Sequence, residues 1–186
     1  MGRSHALAYH RDAAFDLVGP IEDVVEKSRS EVEVLIRESG EAAAYDCGVP
    51  GLPVEILTLI GRLRYRTSFG QNVLNHVKET SHLAAVIAAE LGADVQAAKL
   101  GGLLHDMGKA VDHEVEGPRA AIGAEIARRH GLSPKAINAI AAHHQEVEYN
   151  CSEAPIVQIA DAISASRPGA RGESTDTYLK RLTDRQ

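Results

Sequence analysis

The pair His105 and Asp106 constrains the fold of this chain more than any other feature, because it stands inside an apolar, helix-like run. That run reads LLHDMGK over residues 103–109. An imidazole and a carboxylate are costly to bury unless something pairs with them. A divalent cation would pair with both, since it accepts nitrogen from a neutral histidine and oxygen from an aspartate. The chain must then fold so that further ligands reach this pair.

Three other apolar segments each carry a residue type that binds metals. His76 lies upstream, the pair His143 and His144 ends a segment downstream, and Asp161 interrupts the apolar stretch 156–163. A single histidine of this kind also fits a hydrogen-bonded core residue or an exposed one. Aspartate is rarely buried without a partner, so two of them in helices rich in Ala, Ile and Leu indicate a shared ion. We therefore predict a metal site with four ligands: His76, His105, Asp106 and Asp161.

Composition favours one helical domain. The 186 residues are rich in small aliphatic types, with few aromatics and no Trp, which is typical of a closely packed helical bundle. No apolar run reaches eighteen residues and the first residues carry no hydrophobic stretch, so we expect neither a membrane span nor a secretory signal. The only cysteines, Cys47 and Cys151, are far apart in sequence, and we expect a cytoplasmic location.

The net charge of −6 argues against a broad electrostatic surface for nucleic acid, because phosphate neutralisation needs clustered Lys and Arg. A polyanion would have to be held by a few local cations. Lys109 beside the His-Asp pair, and Arg167 and Arg171 near Asp161, lie close in sequence to the predicted ligands.

Helical periodicity and Gly or Pro breaks predict an all-α fold without strands. Residues 1–20 form a poorly specified lead-in that ends at Gly19 and Pro20, and residues 21–186 form the domain. An amphipathic helix over 21–39, ending near Gly40, would allow a homodimer. The further helices are predicted at about 53–65, 68–91, 95–106, 120–130, 134–144, 152–168 and 173–182.

The order of these ligands along helices resembles the HD superfamily of metal-dependent phosphohydrolases. Three segments are similar to the catalytic domain of the ribonuclease Y family of bacterial endoribonucleases: GRLRYRTSFGQNVL (61–74), GLLHDMGKAVDHEVEG (102–117) and ADAISASRPGAR (160–171). The resemblance covers about residues 21–182 and implies an HD-domain bundle of seven to eight helices. It does not extend to the family's membrane anchor, coiled coil, KH domain or C-terminal extension, so we expect an excised domain or a stand-alone relative.

The resemblance also implies roles for single residues. Asp106, Lys109 and His143 would be catalytic, with Asp106 orienting the attacking water and Lys109 contacting phosphate or water. Only one of His143 and His144 can face inward, and the other would be exposed. Independently of the resemblance, the charged and polar residues near these segments give a predicted substrate-binding set of Arg119, His144, Arg167 and Arg171.

Arg119 departs from the family pattern, in which a histidine that helps to hold a second metal stands four residues before Gly123. Arginine cannot ligate a cation, because its guanidinium stays protonated. We therefore favour one metal per chain, with Arg119 supplying positive charge near a phosphate. A weakened second site held by His143 and His144 is the alternative. The mixed N and O ligands suit Mn, Fe, Co, Ni, Zn or Mg.

These features predict a metal-dependent phosphodiesterase that uses a metal-activated water on RNA or on small cyclic or linear nucleotides. Two alternatives stay open: a nucleotide phosphomonoesterase, and a non-catalytic module for nucleotide sensing or oligomerisation.

Overall fold

The computed structural model describes residues 4–111 and 118–170, and this part of the chain is mostly helical, as the sequence predicted. A hairpin of two very short strands, β1 (Thr67–Ser68) and β2 (Gln71–Asn72), stands between the second and third helices, and 3-10 helices occupy Leu63–Tyr65 and Met107–Ala110. The predicted helix at 173–182 lies outside the described residues. The described residues contain seven α-helices: α1 (Ser4–Asp46), α2 (Val54–Arg62), α3 (Val73–Leu91), α4 (Val95–Leu104), α5 (Arg119–Arg129), α6 (Pro134–Ala142) and α7 (Glu153–Ser166).

Helix α1 differs from its prediction at both ends. It begins at Ser4, runs through Gly19 and Pro20, and continues past Gly40 to Asp46. Gly40 does not end the helix, because its role is to admit α2: a Cβ there would lie 1.8 Å from the backbone oxygen of Leu57. The chain divides into two compact units, residues 1–36 and 37–186. The predicted domain boundary at residue 20 and the homodimer stay predictions.

The hairpin corrects the prediction of an unbroken helix over 68–91 and of a fold without strands. β1 pairs antiparallel with β2, and the two residues between them, Phe69 and Gly70, have φ of 50° and 82°. Two positive φ values in succession are the signature of a type I′ turn, which matches the twist of a hairpin. Helix α3 then begins after Asn72, whose side chain caps it by accepting a hydrogen bond from the backbone N–H of Asn75.

Two apolar clusters hold the helices together. The residues around the His-Asp pair are fully buried, since Leu103, Leu104 and Met107 are all 0% exposed. They pack against Ile56 and Ile60 of α2. The second cluster joins α3, α4, α6 and α7 through small side chains, which let these helices approach closely. Its members are Ala84, Ala88, Ala98, Ala139, Ala142, Ala154, Ile156, Val157 and Ala160.

Most other predicted helix ends agree within about two residues, but α2 stops at Arg62 instead of about residue 65, because Leu63–Tyr65 forms a 3-10 helix. Gly92 closes α3 with φ of 69°, and the Ser133 hydroxyl caps α6 by accepting from the N–H of Ala136. Ser152 precedes α7 as predicted but makes no side-chain cap bond. In the part of the chain that the structure covers, no helix combines the length and the apolar character needed to cross a bilayer.

Candidate metal centre

The four predicted ligands come together from three helices. His76 lies on α3, His105 caps the end of α4, Asp106 follows it, and Asp161 lies on α7. Nε2 of His76 is 3.3 Å from Nε2 of His105 and 3.0 Å from Oδ1 of Asp161. Oδ2 of Asp106 is 3.5 Å from Nε2 of His105 and 3.8 Å from Nε2 of His76. The fold thus brings His76 and Asp161, which are 85 positions apart in sequence, into direct contact.

Hydrogen bonds on the far side of each imidazole fix which nitrogen points inward. Nδ1 of His105 donates to the carbonyl oxygen of Gly102 at 2.8 Å. Nδ1 of His76 lies 2.9 Å from Oγ of Ser164, which in turn donates to Oε2 of Glu79 at 2.8 Å. The serine therefore accepts from His76, so both rings carry their proton on Nδ1. Each Nε2 is left with a lone pair directed at the other ligands.

His143 is a further buried polar side chain beside the four candidate ligands. It is only 2% exposed, and its ring centroid lies 5.0 Å from that of His105. Nδ1 donates to the carbonyl oxygen of Ile140 at 2.7 Å, while Nε2 has no hydrogen-bond partner among the described residues. Burial, with His105 and His144 close by, lowers the pKa of His143 to about 3. The ring is thus neutral at pH 7 and offers a buried lone pair.

Both carboxyl groups are ionised. Burial alone would raise the pKa of Asp106, but His105 and the Lys109 ammonium outweigh it, and the pKa lies below its usual value. Nζ of Lys109 donates to Oδ2 of Asp106 at 2.7 Å. Burial alone would also raise the pKa of Asp161, but the close contacts with His76 and His105 outweigh it and lower the pKa below its usual value.

These residues fit a divalent ion. Two ligand atoms that each lie about 2.1 Å from one ion, at angles of about 90 to 110°, are about 3.0 to 3.4 Å apart. The inward atoms are 3.0 to 3.8 Å apart in the pairs that include His76 or His105. Among the residues that the structure describes, two groups satisfy the requirement for a shared ion: His76, His105 and Asp161, and His105, Asp106 and His143. The unpartnered Nε2 of His143 is the independent sign that a ligand belongs here.

A cavity of about 280 Å³ opens above this cluster. His144 is exposed and lines the cavity, whereas His143 is buried, which resolves the alternative left open by the sequence. The hairpin forms the other rim. The lining residues are Ser68, Phe69, Gln71, Val73, His76, Asp106, Lys109, His144 and Asp161.

Arg119 and Arg167, the two predicted arginines within the described residues, do not line this cavity. Nη1 of Arg119 donates to the carbonyl oxygens of Val111, at 3.1 Å, and Gly108, at 3.4 Å. Nε of Arg167 donates to Oε1 of Glu79. Arg171 lies outside the described residues. Their contact with substrate stays a prediction.

Sequence reasoning missed Glu79 and Ser164, which support His76 from behind. A signal existed, because Glu79 stands three residues after His76, and Ser164 three residues after Asp161. Residues three apart share a helix face. Polar residues at that spacing from a buried ligand are therefore candidates for its supporting contacts.

Comparison with known proteins places the chain in a family. The HD domain model matches residues 73–166, which is half of the chain. Ribonuclease Y of Clostridium botulinum (strain Langeland) is 58% identical over 162 residues, and ribonuclease Y of Desulforudis audaxviator 56% over 163. These alignments cover 87% and 88% of this chain but 32% of each relative, so the chain spans about a third of their length.

The crystal structure of a predicted HD superfamily hydrolase from an uncultured Thermotogales bacterium is more distant. It is 21% identical, with a TM-score of 0.49, over 70% of this chain and 74% of that one. The family match contains every residue of the predicted ligand set. The chain belongs to the HD domain family.

Proposed function

We propose that this domain is a metal-dependent phosphohydrolase that cleaves phosphodiester bonds in RNA or in small cyclic or linear nucleotides. The observation that carries the proposal is the close approach of His76, His105, Asp106 and Asp161, of which His76, Asp106 and Asp161 line an open cavity. The relatives named ribonuclease Y support RNA as the substrate class.

The metal would be held by those four residues. A divalent ion bound there supplies Lewis acidity toward a phosphoryl oxygen and lowers the pKa of a coordinated water. One ion per chain is favoured, since His105 belongs to both candidate groups and a neutral imidazole has one lone pair to give.

Two groups of the chain handle charge and protons at the cavity floor. Lys109 is part-exposed and lines the cavity, so its ammonium can move from Asp106 to a phosphate oxygen and stabilise the charge that develops there. The ionised carboxylate of Asp106 can accept a hydrogen bond from the attacking water and orient it.

The two neighbouring histidines divide the remaining tasks. The ring of His143 is neutral and buried, and its Nε2 can complete the ligand set. His144 at the rim is placed to contact a phosphate oxygen of the bound substrate.

The test compares the wild type with Asp106→Asn on two chromogenic esters. Wild-type protein loaded with Mn²⁺ should hydrolyse bis-para-nitrophenyl phosphate faster than para-nitrophenyl phosphate, and EDTA should abolish both reactions. Asp106→Asn should lose at least a hundredfold in rate while its far-ultraviolet circular dichroism is unchanged. Hydrolysis that survives EDTA would refute the metal mechanism, and preference for the monoester would favour a phosphomonoesterase.

A further inference from the structure

Phe69 is an unexpected residue at the rim of the cavity. The chain has only two Phe and no Trp, yet this Phe is 78% exposed. A single exposed apolar side chain is common on protein surfaces and needs no explanation by itself. Phe69 differs because it stands at the tip of the hairpin and lines the cavity that holds the candidate ligands.

The backbone at Phe69 is also unfavourable for its residue type. Its φ is 50°, a conformation in which the first position of a type I′ turn normally carries Asn, Asp or Gly. A bulky side chain there is an outlier that costs free energy. Strain of this kind concentrates at functional sites, where surrounding contacts hold it in place. The turn thus combines a strained backbone with an exposed ring at the mouth of the site.

The hairpin that carries Phe69 is fixed relative to the candidate ligands. Nε2 of Gln71 donates to the carbonyl oxygen of Ser164, the same residue whose hydroxyl supports His76. Nδ2 of Asn72 donates to the carbonyl oxygen of Arg64 at 2.7 Å. The aromatic ring is therefore presented from a hairpin tied to α7 rather than from an untethered loop.

We infer that Phe69 is a stacking platform for the nucleobase next to the scissile phosphate, so that this site selects diesters that carry a base. The inference rests on the proposed phosphodiesterase function. The cavity volume of about 280 Å³ lies below the range of about 300 to 1,000 Å³ usual for ligand pockets. The cavity suits a phosphate and its sugar, and the base then lies outside, against the rim.

Stacking on Phe69 would be tolerant of base identity, because every base has a π-face. Such contacts contribute about 1 to 3 kcal/mol per base, which corresponds to about 5- to 150-fold in binding. Phe69 would thus raise the affinity for diesters that carry a base over diesters that lack one, without a preference for a particular base sequence.

The test uses a short RNA and the same RNA with an abasic ribose on each side of the cleaved bond. Phe69→Ala should lower kcat/KM at least fivefold on the base-bearing RNA and leave the abasic RNA unchanged. Phe69→Tyr should keep the wild-type preference. The matched control is Tyr45→Ala, since Tyr45 is 84% exposed and does not line the cavity, and it should change neither rate.

A third variant separates stacking from a structural role. Asn is favoured at positive φ, so Phe69→Asn should have a Tm equal to or above that of the wild type while it loses the preference for the base-bearing RNA. A merely structural Phe would instead lose stability on this change. Equal losses on both RNAs, or a change of self-association in Phe69→Ala without a change of preference, would overturn the inference.

Binding of a 2-aminopurine dinucleotide tests the platform without turnover, because the fluorescence of 2-aminopurine is quenched on stacking. Quenching by wild-type protein that is lost in Phe69→Ala supports the platform even if no hydrolysis is found, in which case the proposed function alone fails. Equal quenching by both proteins refutes the platform, whatever the hydrolysis rates are.

Discussion

Oγ of Ser164 accepts a hydrogen bond from Nδ1 of His76 at 2.9 Å and donates one to Oε2 of Glu79. Ser164 is completely buried, and Arg167 holds Glu79 from the outside. This chain of contacts keeps the proton of His76 on Nδ1 and orients the ring, which is what supporting residues do for histidine ligands of metals.

Replacing Ser164 should therefore weaken metal binding without removing any ligand. We expect Ser164→Ala to lower the affinity for Mn²⁺ or Zn²⁺ by about 10- to 100-fold, because His76 loses the group that fixes its tautomer. Competition with a chromogenic chelator measures the change. Ser166→Ala is the matched control, since Ser166 is exposed on the same helix and its hydroxyl donates to the backbone oxygen of Ile163. Equal affinities for the two variants would contradict the role of Ser164.

The number of ions per chain follows from the sharing of His105. Within residues 4–111 and 118–170, both groups that could hold an ion include His105, and its Nε2 cannot donate one lone pair to two ions. We expect elemental analysis of the purified protein to give close to one metal per chain. A value near two that falls to one in His143→Ala would show a second site and refute this prediction.

The candidate ligands could be selected from the sequence because each is a polar residue in an apolar segment. His76, His105, Asp106 and Asp161 stand out for this reason even without a fold, and the inward atoms lie 3.0 to 3.8 Å apart in the pairs that include His76 or His105. The supporting residues did not stand out in the same way. Ser164 and Glu79 have residue types that are common on helix surfaces, and only the packing of α3 against α7 buries the serine.

Two local features were not predictable for physical reasons. From the sequence alone, Gly40 is a good candidate for a helix end. Only the structure shows that the backbone of Leu57 packs against Gly40, so the glycine is needed where the two helices cross closely. The hairpin has strands of two residues each, too short for an alternating pattern to be visible. The sequence Phe69-Gly70 also does not indicate a type I′ turn, because the first central residue of such a turn is usually Asn or Asp.

Acid should destabilise the fold through Glu153, a fully buried residue at the start of α7. Its Oε1 accepts hydrogen bonds from the N–H of Asp94 and from Lys135. Burial would raise the pKa of Glu153, but hydrogen bonds from backbone N–H groups and from Lys135 outweigh it and lower the pKa to about 2. The folded pKa lies below the unfolded one, so the stabilisation is complete above about pH 4.5 and disappears as the pH falls toward 2.

Unfolding by urea at two pH values measures this effect. Glu153→Gln should be less stable than the wild type by about 3 kcal/mol at pH 7 and by less than half of that at pH 3. Glu146→Gln, on an exposed position, should unfold like the wild type at both. A gap between Glu153→Gln and the wild type that is the same at pH 7 and pH 3 would show that the carboxylate charge is not the cause.

The contact between Gly108 and Arg119 connects the stability of the fold to the site. A Cβ on Gly108 would lie 2.0 Å from the backbone oxygen of Arg119, so Gly108→Ala must push the 3-10 helix away from α5. Asp106 and Lys109 stand on either side of this glycine and would move with it. We expect a loss of about 1 to 3 kcal/mol in the free energy of unfolding and weaker metal binding. Thermal unfolding and metal titration on the same sample measure both.

Gly19→Ala is the control, since a Cβ at Gly19 meets no atom within 4 Å and the substitution should leave Tm equal or higher. If Gly108→Ala bound metal like the wild type, the position of Asp106 would not depend on this packing.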